Sequence, residues 1–328
     1  MKAVWYSAQG DAAKVLRFGE QPTPEPQPGE MRVRLAASAA NPADCNRRRG
    51  NGYAMEFPLV IPNSDGAGVV DAVGDGVDAA WLGRGVWLYN GQRGRALGTA
   101  AEFIALDEKL VMPLPAGTSF AEGACLGIPC MTAYRCVFAD GPVQGQTLLV
   151  TGGAGAVGHY AIQLAKWGGA RVLATVSSEA KARHAARAGA DATVNYREPG
   201  WIETLLAATA GVDRIVEVDF GGNLAASLKL LRPNGVIAAY ASRGEANPVL
   251  PFYELMRKNI TVHGVMLPGT PPASRREAQQ EINRWLAEGR AVHTIAARFP
   301  LRDTALAHLA VERGDKLGTV VVECDAAG

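Results

Sequence analysis

Hydrophobic and polar residues follow one regular pattern through the middle of the chain. From about residue 146 to residue 266, short apolar segments suited to buried strands alternate with segments whose apolar residues recur at helical spacing. The candidate strands are 147–151, 171–176, 192–195, 213–218, 235–240 and 260–265, and the candidate helices are 156–168, 178–188, 199–209, 222–232 and 251–258. This alternation predicts a doubly wound parallel sheet with helices on both faces.

The two ends of the chain follow a different pattern. Short strand-like segments punctuated by proline and glycine predict a compact β-rich domain before residue 124. Two helical segments separated by Pro129 predict the crossover into the second domain. The tail, with a polar helix at 274–288, no longer fits the alternation. We therefore predict a β-rich domain formed by 1–124 and the returning 268–328, and a parallel-sheet domain formed by 125–267.

A glycine-rich turn connects the first strand of the alternating part to its first helix. Gly153, Gly155 and Gly158 form the pattern G-x-G-x-x-G. The first glycine permits a tight turn, the second lets the backbone approach a pyrophosphate, and the third lets helix and strand pack closely. Strand, turn and helix in this order predict a dinucleotide-binding site; the alternative is a glycine turn without a ligand.

The end of the second strand indicates which dinucleotide binds. An acidic residue there would bond the ribose 2′-hydroxyl and favour NAD, but this strand runs into Ser177 and Ser178, and Lys181 follows. Hydroxyl groups and an ammonium group suit a 2′-phosphate. The sequence therefore predicts NADP(H), unless Lys181 is only a solvated helix residue.

Composition and charge restrict the possible partners and the compartment. The net charge of the 328 residues is +1, which argues against nucleic acid or an anionic membrane as the main partner. The five cysteines include no C-x-x-C pair, so we expect reduced, buried thiols in a cytoplasmic protein. No apolar segment approaches the about 20 residues of a membrane span.

Two other groups of charged or titratable residues are expected to have structural roles. Arg47, Arg48 and Arg49 follow a predicted turn into a short helix, and we expect a solvated helix face. A contribution to the entrance of an anionic ligand is the alternative. The five histidines lie on predicted helices or strands, where structural or surface roles are expected.

Several separated segments carry one resemblance to a known family. They are Asn41-Pro42-Ala43-Asp44, Pro62 to Gly68, Gly127 to Arg135, Gly152, Gly155 and Gly158 at spacings of three, Val194 to Arg197, and Ala241 to Gly244. The chain resembles the medium-chain dehydrogenase/reductase superfamily, in the zinc-free quinone oxidoreductase branch that includes zeta-crystallin. The resemblance covers nearly the whole chain and implies a GroES-like β-rich domain together with a Rossmann domain.

The resemblance also implies which residues hold the phosphates of the cofactor. They are Gly152, Gly153, Gly155, Ala156, Val157, Gly158, Ser177, Lys181, Tyr196, Ser242 and Arg243. Ser177, Lys181 and Tyr196 would surround the 2′-phosphate, whereas Ser242 and Arg243 would lie near the diphosphate. A packing role is the alternative for Tyr196.

By the same resemblance, Asn41 and Thr132 would contact the nicotinamide half of the cofactor. Roles as a turn residue and a helix residue, respectively, are the alternatives. Some members of the branch carry a tyrosine where this chain has Asn46, and Tyr53 matches a second active-site tyrosine only if one residue is inserted. Asn41 and Tyr53 are nonetheless our candidate catalytic residues, because hydride transfer develops negative charge on a carbonyl oxygen that a polar donor can stabilise.

The same segments predict that the chain does not bind zinc. Zinc-dependent relatives place cysteine and histidine where this chain has Asn41 and Ser64, and amide and hydroxyl groups are poor zinc ligands. The residues that correspond to the structural-zinc lobe of those relatives, 90–101, include no cysteine. We therefore expect no metal site.

The expected function is an NADPH-dependent, zinc-independent reductase that transfers hydride to a quinone. One alternative is reduction of the C=C bond of a 2-alkenal or enone. Another is a non-catalytic NADPH-binding protein, either crystallin-like or RNA-binding. We also expect a homodimer through Ile260 to Met266, because an exposed apolar edge strand favours pairing with a second copy.

Overall fold

The computed structural model describes residues 1–324 of the chain. The strands are β1 Lys2–Trp5, β2 Arg17–Glu20, β3 Glu30–Ala40, β4 Asp65–Val73, β5 Gly85–Leu88, β6 Phe103–Asp107, β7 Val111–Pro113, β8 Thr147–Val150, β9 Arg171–Val176, β10 Ala192–Asn195, β11 Val212–Glu217, β12 Leu231–Ala239, β13 Thr261–Gly264, β14 Ile295–Pro300 and β15 Thr319–Glu323. The α-helices are α1 Ala12–Val15, α2 Pro42–Arg49, α3 Phe120–Ala124, α4 Gly127–Phe138, α5 Ala156–Trp167, α6 Glu179–Arg187, α7 Trp201–Thr209, α8 Phe220–Leu230, α9 Phe252–Lys258, α10 Pro272–Ala287 and α11 Thr304–Arg313.

These elements form two compact units. One comprises Met1–Ile128 together with the chain from Gln279 onward, and we call it the β-rich unit. The other comprises Pro129–Ala278, and we call it the parallel-sheet unit. The divisions fall inside α4 and α10, four and eleven residues beyond the boundaries that the sequence predicts.

The β-rich unit is organised around the long strand β3. Its main sheet has the strand order β14-β15-β3-β4-β5-β7, with β6 also paired to β3, and all pairs except β14 with β15 are antiparallel. Met31, Val33 and Leu35 alternate along β3 and are fully buried, because successive side chains of a strand point to opposite faces. The GroES-like β-rich domain is therefore confirmed, with the C-terminal tail supplying β14 and β15.

The parallel-sheet unit contains six strands in the order β10-β9-β8-β11-β12-β13, and every neighbouring pair is parallel. Numbered within the unit, this is the order 3-2-1-4-5-6 of a Rossmann domain. The central strand β8 reads Thr-Leu-Leu-Val and is buried throughout, since helices cover both faces of such a sheet. The predicted doubly wound sheet is confirmed.

One local prediction is wrong. Pro129 does not separate two helical segments, because it lies in the first turn of α4, where no backbone N–H donor is needed. The break falls instead between α3 and α4. Within residues 1–324, no helix combines the length and the apolar character that crossing a membrane requires.

Candidate active site

The glycine turn between β8 and α5 is anchored on the end of the neighbouring strand β9. Gly152 has a φ of +64°, a conformation that glycine adopts without strain. Its N–H donates to the hydroxyl of Thr175 at 3.1 Å, and the N–H of Gly153 donates to the carbonyl of Thr175 at 3.1 Å. The turn is therefore fixed in place by the carboxyl end of β9.

Two of the glycines are required by close packing. A Cβ atom at Gly153 would lie 2.7 Å from the Cβ of Ala174, and one at Gly158 would lie 2.5 Å from the carbonyl oxygen of Gly152. The first turn of α5 thus packs directly on the backbone of the glycine turn. Gly155 differs, because a Cβ there would meet only the Gly152 oxygen, at 3.3 Å, and the residue is exposed.

The N-terminus of α5 has backbone donors and no side-chain cap. Gly155 is the N-cap residue and makes no side-chain hydrogen bond, and Ala156 and Val157 follow it half-buried. The first N–H groups of a helix have no partner within the helix and carry the positive end of its dipole. This end of α5 therefore suits a phosphate group.

Polar side chains lie where β9 and β10 end. The ammonium group of Lys181 donates to the hydroxyl of Ser177 at 3.0 Å, and Ser178 caps α6 by accepting from the Lys181 N–H at 3.3 Å. Tyr196 is 46% exposed, and its N–H donates to the carbonyl of Val176, the residue before Ser177. The strand ends thus bring Ser177, Lys181 and Tyr196 into one region.

The carboxylate nearest to Lys181 in the sequence belongs to another ion pair. Glu179 is exposed and accepts from Arg183 at 2.5 Å, one helical turn along α6. The Lys181 ammonium bonds a neutral hydroxyl, so its positive charge could match a bound phosphate.

Sequence reasoning missed a buried carboxylate that supports the glycine turn. Glu217 ends β11, is completely buried, and accepts from the Thr151 hydroxyl at 2.9 Å, from the Asp219 N–H at 2.7 Å and from the Asn223 amide at 2.8 Å. Burial raises the pKa of the Glu217 carboxyl, although these hydrogen bonds act against the rise. Because Thr151 directly precedes Gly152, Glu217 holds the start of the turn.

The two predicted phosphate ligands after β12 have different surroundings. The Ser242 hydroxyl accepts from the N–H of Gly221, in the first turn of α8, at 2.9 Å and donates to the carbonyl of Glu245 at 2.5 Å. The single O–H donor of Ser242 is therefore used by Glu245, and its oxygen ties the loop to the start of α8. Arg243 is exposed.

In the β-rich unit, Asn41 is part of a buried polar cluster. Its side-chain amide donates to Asp65 at 2.7 Å, and its backbone N–H donates to Asp44 at 2.9 Å. The second oxygen of Asp44 accepts from the Ser64 hydroxyl at 2.7 Å. Asn41 is 3% exposed, and its side chain acts by hydrogen bonding on Asp44 as well as on Asp65, which opposes the burial that raises the pKa of Asp44.

Asp65 and Asp44 are two neighbouring buried carboxyl groups. One oxygen of Asp65 accepts from Asn41 and from the N–H of Ile128, whereas the other has no partner among the described residues. Burial, reinforced by the negative charge of Asp44, raises the pKa of Asp65 well above its ordinary value. Burial likewise raises the pKa of Asp44. Gly127 is required beside them, since a Cβ there would lie 2.2 Å from Asp65.

Arg48 contradicts the prediction of a solvated arginine face on α2. Its side chain is fully buried and donates to His308, to the carbonyl of Gly10 and to Glu312. Arg49 is 42% exposed and pairs with the same glutamate at 3.1 Å. The expectation from three consecutive arginines was wrong for Arg48, because its partners His308 and Glu312 come from α11, more than 250 residues later in the chain.

Arg48 begins a directed chain of buried hydrogen bonds. Because its Nε–H donates to Nδ1 of His308 at 3.3 Å, the proton of this imidazole lies on Nε2 and is donated to Asn63 at 2.9 Å. The Asn63 amide donates to the Ser38 hydroxyl at 3.0 Å. Ser38 then bonds Thr99, which donates to the backbone carbonyl of Asp65 at 2.8 Å. The chain therefore connects α11 to the cluster around Asn41.

We expect this buried histidine to make stability depend on pH. Burial, assisted by the charge of Arg48, lowers the pKa of His308 to about 3. Between that value and its ordinary pKa of about 6.5, the unfolded chain binds the extra proton, so stability falls as the pH falls. Relative to a His308→Gln variant, the unfolding free energy of the unchanged protein should drop by about 1.4 kcal/mol per pH unit between pH 5.5 and 4 in urea titrations. If the unfolding free energies of the two proteins changed equally with pH, the lowered pKa of His308 would be contradicted.

Tyr53 lies apart from the Asn41 cluster. It lines a pocket of the β-rich unit, together with Tyr6 and Arg47, and Asn41 is not among the residues of that pocket. Thr132, the other residue predicted at the nicotinamide, is 5% exposed on α4. The contact of Asn41, Thr132 and Tyr53 with a cofactor or substrate stays a prediction.

The side chains that correspond to zinc ligands are engaged otherwise. Ser64 donates to Asp44, and Asn41 donates to Asp65. Over residues 1–324, no three side chains of the types His, Cys, Asp or Glu are grouped so as to hold a metal ion. This donor set does not fit zinc, and no chemical step below uses a metal.

Comparison with known proteins identifies two family models in the chain. Residues 27–116 match the model described as alcohol dehydrogenase GroES-like domain, and residues 156–287 match the model described as zinc-binding dehydrogenase. The second description names a metal, but Asn41 and Ser64, where this chain has an amide and a hydroxyl group, lie outside the segment that this model matches.

Similar sequences and structures extend over nearly the whole chain. A quinone oxidoreductase of Rattus norvegicus is 30% identical over 306 residues, covering 91% of this chain and 90% of its own. A structure described as an NAD-dependent alcohol dehydrogenase superposes with a TM-score of 0.90 at 30% identity, covering 99% of this chain and 100% of its own. The Escherichia coli quinone oxidoreductase complexed with NADPH superposes with a TM-score of 0.86 at 26% identity, covering 98% and 100%.

Proposed function

The chain belongs to the medium-chain dehydrogenase/reductase superfamily, in its quinone oxidoreductase branch, and we propose that it is an NADPH-dependent, zinc-independent reductase that transfers hydride to a quinone. Two features together support the proposal. The N-terminus of α5 at Gly155 has no side-chain cap, and the Ser177 and Lys181 side chains lie after the end of β9. Both features suit phosphate groups, and a 2′-phosphate distinguishes NADPH from NADH.

The residues of the parallel-sheet unit fit this cofactor. Bound NADPH supplies the hydride of the reaction. The N–H groups at the start of α5 would bind the diphosphate, and Gly155 leaves room for it because no side chain stands there. Ser177, Lys181 and Tyr196 would hold the 2′-phosphate. Arg243 is exposed and would add a positive charge near the diphosphate, whereas the O–H donor of the neighbouring Ser242 is already used by Glu245.

The β-rich unit offers two donors for the oxygen of the acceptor. The side-chain amide of Asn41 is held in position by Asp65 and Asp44, so it is a preorganised candidate donor to a carbonyl oxygen. The phenol of Tyr53 is the second candidate. Protons for the reduced quinone would come from Tyr53 or from solvent.

Turnover with a panel of acceptors tests the proposed function. NADPH oxidation should be observed with 1,4-benzoquinone or 9,10-phenanthrenequinone, and it should persist after dialysis against a chelator. Turnover of a 2-alkenal alone would favour C=C reduction instead. Tight NADPH binding without turnover of any acceptor would favour a non-catalytic protein, and stoichiometric zinc in the active preparation would contradict the metal-free proposal.

Lys181 should determine the preference for the phosphorylated cofactor. A Lys181→Ala variant removes the ammonium group that lies 3.0 Å from Ser177, so we expect the Kd of NADPH to rise about tenfold while the Kd of NADH stays unchanged. Calorimetric titration measures both constants. Arg183→Ala removes an exposed arginine of the same helix and should change neither. Equal weakening of NADPH and NADH would show that Lys181 does not contact the 2′-phosphate.

We also propose that the chain forms a homodimer through the edge strand of the parallel sheet. β13 is the last strand of the order and pairs only with β12. Seven of the twelve exposed large apolar side chains in the described structure lie between residues 249 and 266. They are Val249, Leu250, Phe252, Tyr253, Met256, Val262 and Met266. Apolar residues concentrated beside an unpaired strand are typical of a surface that a second copy covers.

A charge on this edge should prevent dimer formation. Val262 lies on β13 and is 42% exposed, and Val262→Lys would place an ammonium group in the paired surface. In analytical ultracentrifugation at micromolar concentration, the unchanged protein should sediment as a dimer and the variant as a monomer. Leu306→Lys, which changes an equally exposed leucine of α11, should remain dimeric. A monomeric unchanged protein would contradict the proposal.

A further inference from the structure

The pocket beside Tyr53 has features that the proposed reductase mechanism does not use. It lies entirely within the β-rich unit and is open to solvent. Tyr6, Tyr53, Met55 and Phe57 supply the aromatic and apolar part of its lining, and the rest of the lining is mostly polar. The two tyrosine rings can pack against a planar group, while the polar side chains can bind a charged one.

Arg47 is a cation of this pocket, and it acts electrostatically on the buried Asp44 carboxylate without forming an ion pair with it. Its guanidinium group donates to the side-chain amide of Gln92 and lies 5.6 Å from the centre of the Tyr53 ring. Among residues 1–324, no carboxylate forms an ion pair with it. Gln92 is itself fixed, because its amide donates to the carbonyl of Arg95 at 2.9 Å. The guanidinium is therefore held in place with most of its N–H donors free.

The backbone around Arg47 is also fixed. The amide of Gln9 donates to the carbonyl of Arg47 at 2.8 Å and to the carbonyl of Tyr53 at 2.9 Å, so one side chain joins α2 to the following loop. Arg47 and the Tyr53 ring consequently keep their relative positions. Such a preorganised site loses less entropy when a ligand binds.

The charges that line the pocket favour an anion. Arg47 and Arg93 contribute two positive charges and Glu56 contributes one negative charge. Asp44 lies near enough for Arg47 to oppose the burial that raises its pKa, but both of its oxygens already accept hydrogen bonds. Burial raises the pKa of Tyr6 to about 12, so this phenol keeps its proton and can donate a hydrogen bond.

We propose that this pocket binds the carboxylate of an acidic substrate, with Arg47 as its charged partner and the Tyr53 ring as an aromatic wall. A planar carboxylate matches the two parallel N–H donors of a guanidinium group. The inference rests on the proposed function when it names a substrate. If the protein is a reductase, its preferred acceptor is a quinone or conjugated carbonyl compound that carries a carboxylate group.

Two ligands that the enzyme cannot reduce, an acid and its amide, test whether the pocket binds a carboxylate. Titration of the cofactor-free protein with 2-naphthoate and 2-naphthamide should show the acid binding about tenfold more tightly or better, as expected for a partly desolvated charge pair. Arg47→Met should reduce the affinity for 2-naphthoate to that for the amide. Arg47→Lys should keep part of the difference in affinity between the acid and the amide. Lysine keeps the positive charge but lacks the two parallel N–H donors of a guanidinium group.

Arg49→Met is the matched control, because Arg49 lies on the same helix, is exposed and pairs with Glu312. It should leave the affinity for 2-naphthoate unchanged. Circular dichroism of each variant checks that the fold is retained. Equal affinity of the unchanged protein for acid and amide would overturn the proposal, as would an equal effect of the two arginine substitutions.

Turnover separates this inference from the proposed function. For a benzoquinone with a carboxylate side chain and its methyl ester, the acid should have a KM about tenfold lower, with an unchanged kcat, and Arg47→Met should remove the difference. Equal kinetics for acid and ester would reject the acidic substrate and leave the reductase intact. Selective 2-naphthoate binding without turnover of either acceptor would reject the reductase and leave the carboxylate site intact.

Discussion

A Gly155→Val variant should fold like the unchanged protein and bind NADPH about 100-fold more weakly, a loss of about 2.7 kcal/mol. Gly155 is exposed and has a φ of −74°, so a side chain is compatible with its backbone. A Cβ atom would meet only the Gly152 oxygen, at 3.3 Å. The valine would instead occupy the space through which a phosphate reaches the first N–H groups of α5.

Two measurements separate binding from folding in this variant. Calorimetric titration gives the Kd of NADPH, and urea denaturation should show a loss of no more than about 1 kcal/mol, the cost of a poor N-cap residue. Gly158→Val is the contrasting variant, because its Cβ would lie 2.5 Å from the Gly152 oxygen and should lower both stability and affinity. Undiminished NADPH binding by Gly155→Val would show that the diphosphate lies elsewhere.

An Arg48→Met variant should lose about 3–5 kcal/mol of unfolding free energy, because it leaves Glu312 and His308 without their buried partner. Arg49→Met removes the exposed arginine that pairs with the same glutamate and should cost less than about 1 kcal/mol. Urea denaturation of the two variants measures the difference between their unfolding free energies.

The comparison of Arg48 and Arg49 also tests whether the burial of Arg48 is correct. If the sequence-based expectation of a solvated face were right, the two substitutions would have similar, small effects. A loss below about 1 kcal/mol for Arg48→Met would therefore contradict the buried network that connects α2 to α11. Arg48→Lys keeps the charge and should recover only part of the stability, since a single ammonium group cannot reach Gly10, His308 and Glu312 together.

The doubly wound sheet could be predicted from the sequence because its signals are local. The strands at 171–176 and 192–195 have the predicted bounds, since each is a short β-prone segment between a helix and a glycine or polar turn. The turn at Gly153, Gly155 and Gly158 was likewise visible, because close packing requires Gly153 and Gly158, and Gly155 leaves the start of α5 open. Ser177 and Lys181 could be placed together because a residue that directly follows a strand lies close to the start of the next helix.

Other parts of the site have no local signal. Arg48 and Asn63 both bond His308, which comes from α11, so neither spacing nor composition indicates this hydrogen-bond chain. Glu217 could have been found, because the carboxyl ends of β8, β9 and β11 meet at one edge of a parallel sheet and Glu217 ends β11. The pocket around Arg47 depends on contacts among Gln9, Tyr53 and Gln92, which are distant in the sequence.

The central claim is that the turn after β8 and the side chains after β9 together bind a phosphorylated nicotinamide dinucleotide. Calorimetric titration of one protein preparation with NADPH and with NADH tests it most directly. The account predicts stoichiometric binding of NADPH with a Kd at least about tenfold below that of NADH. Equal affinities, or tighter binding of NADH, would contradict it.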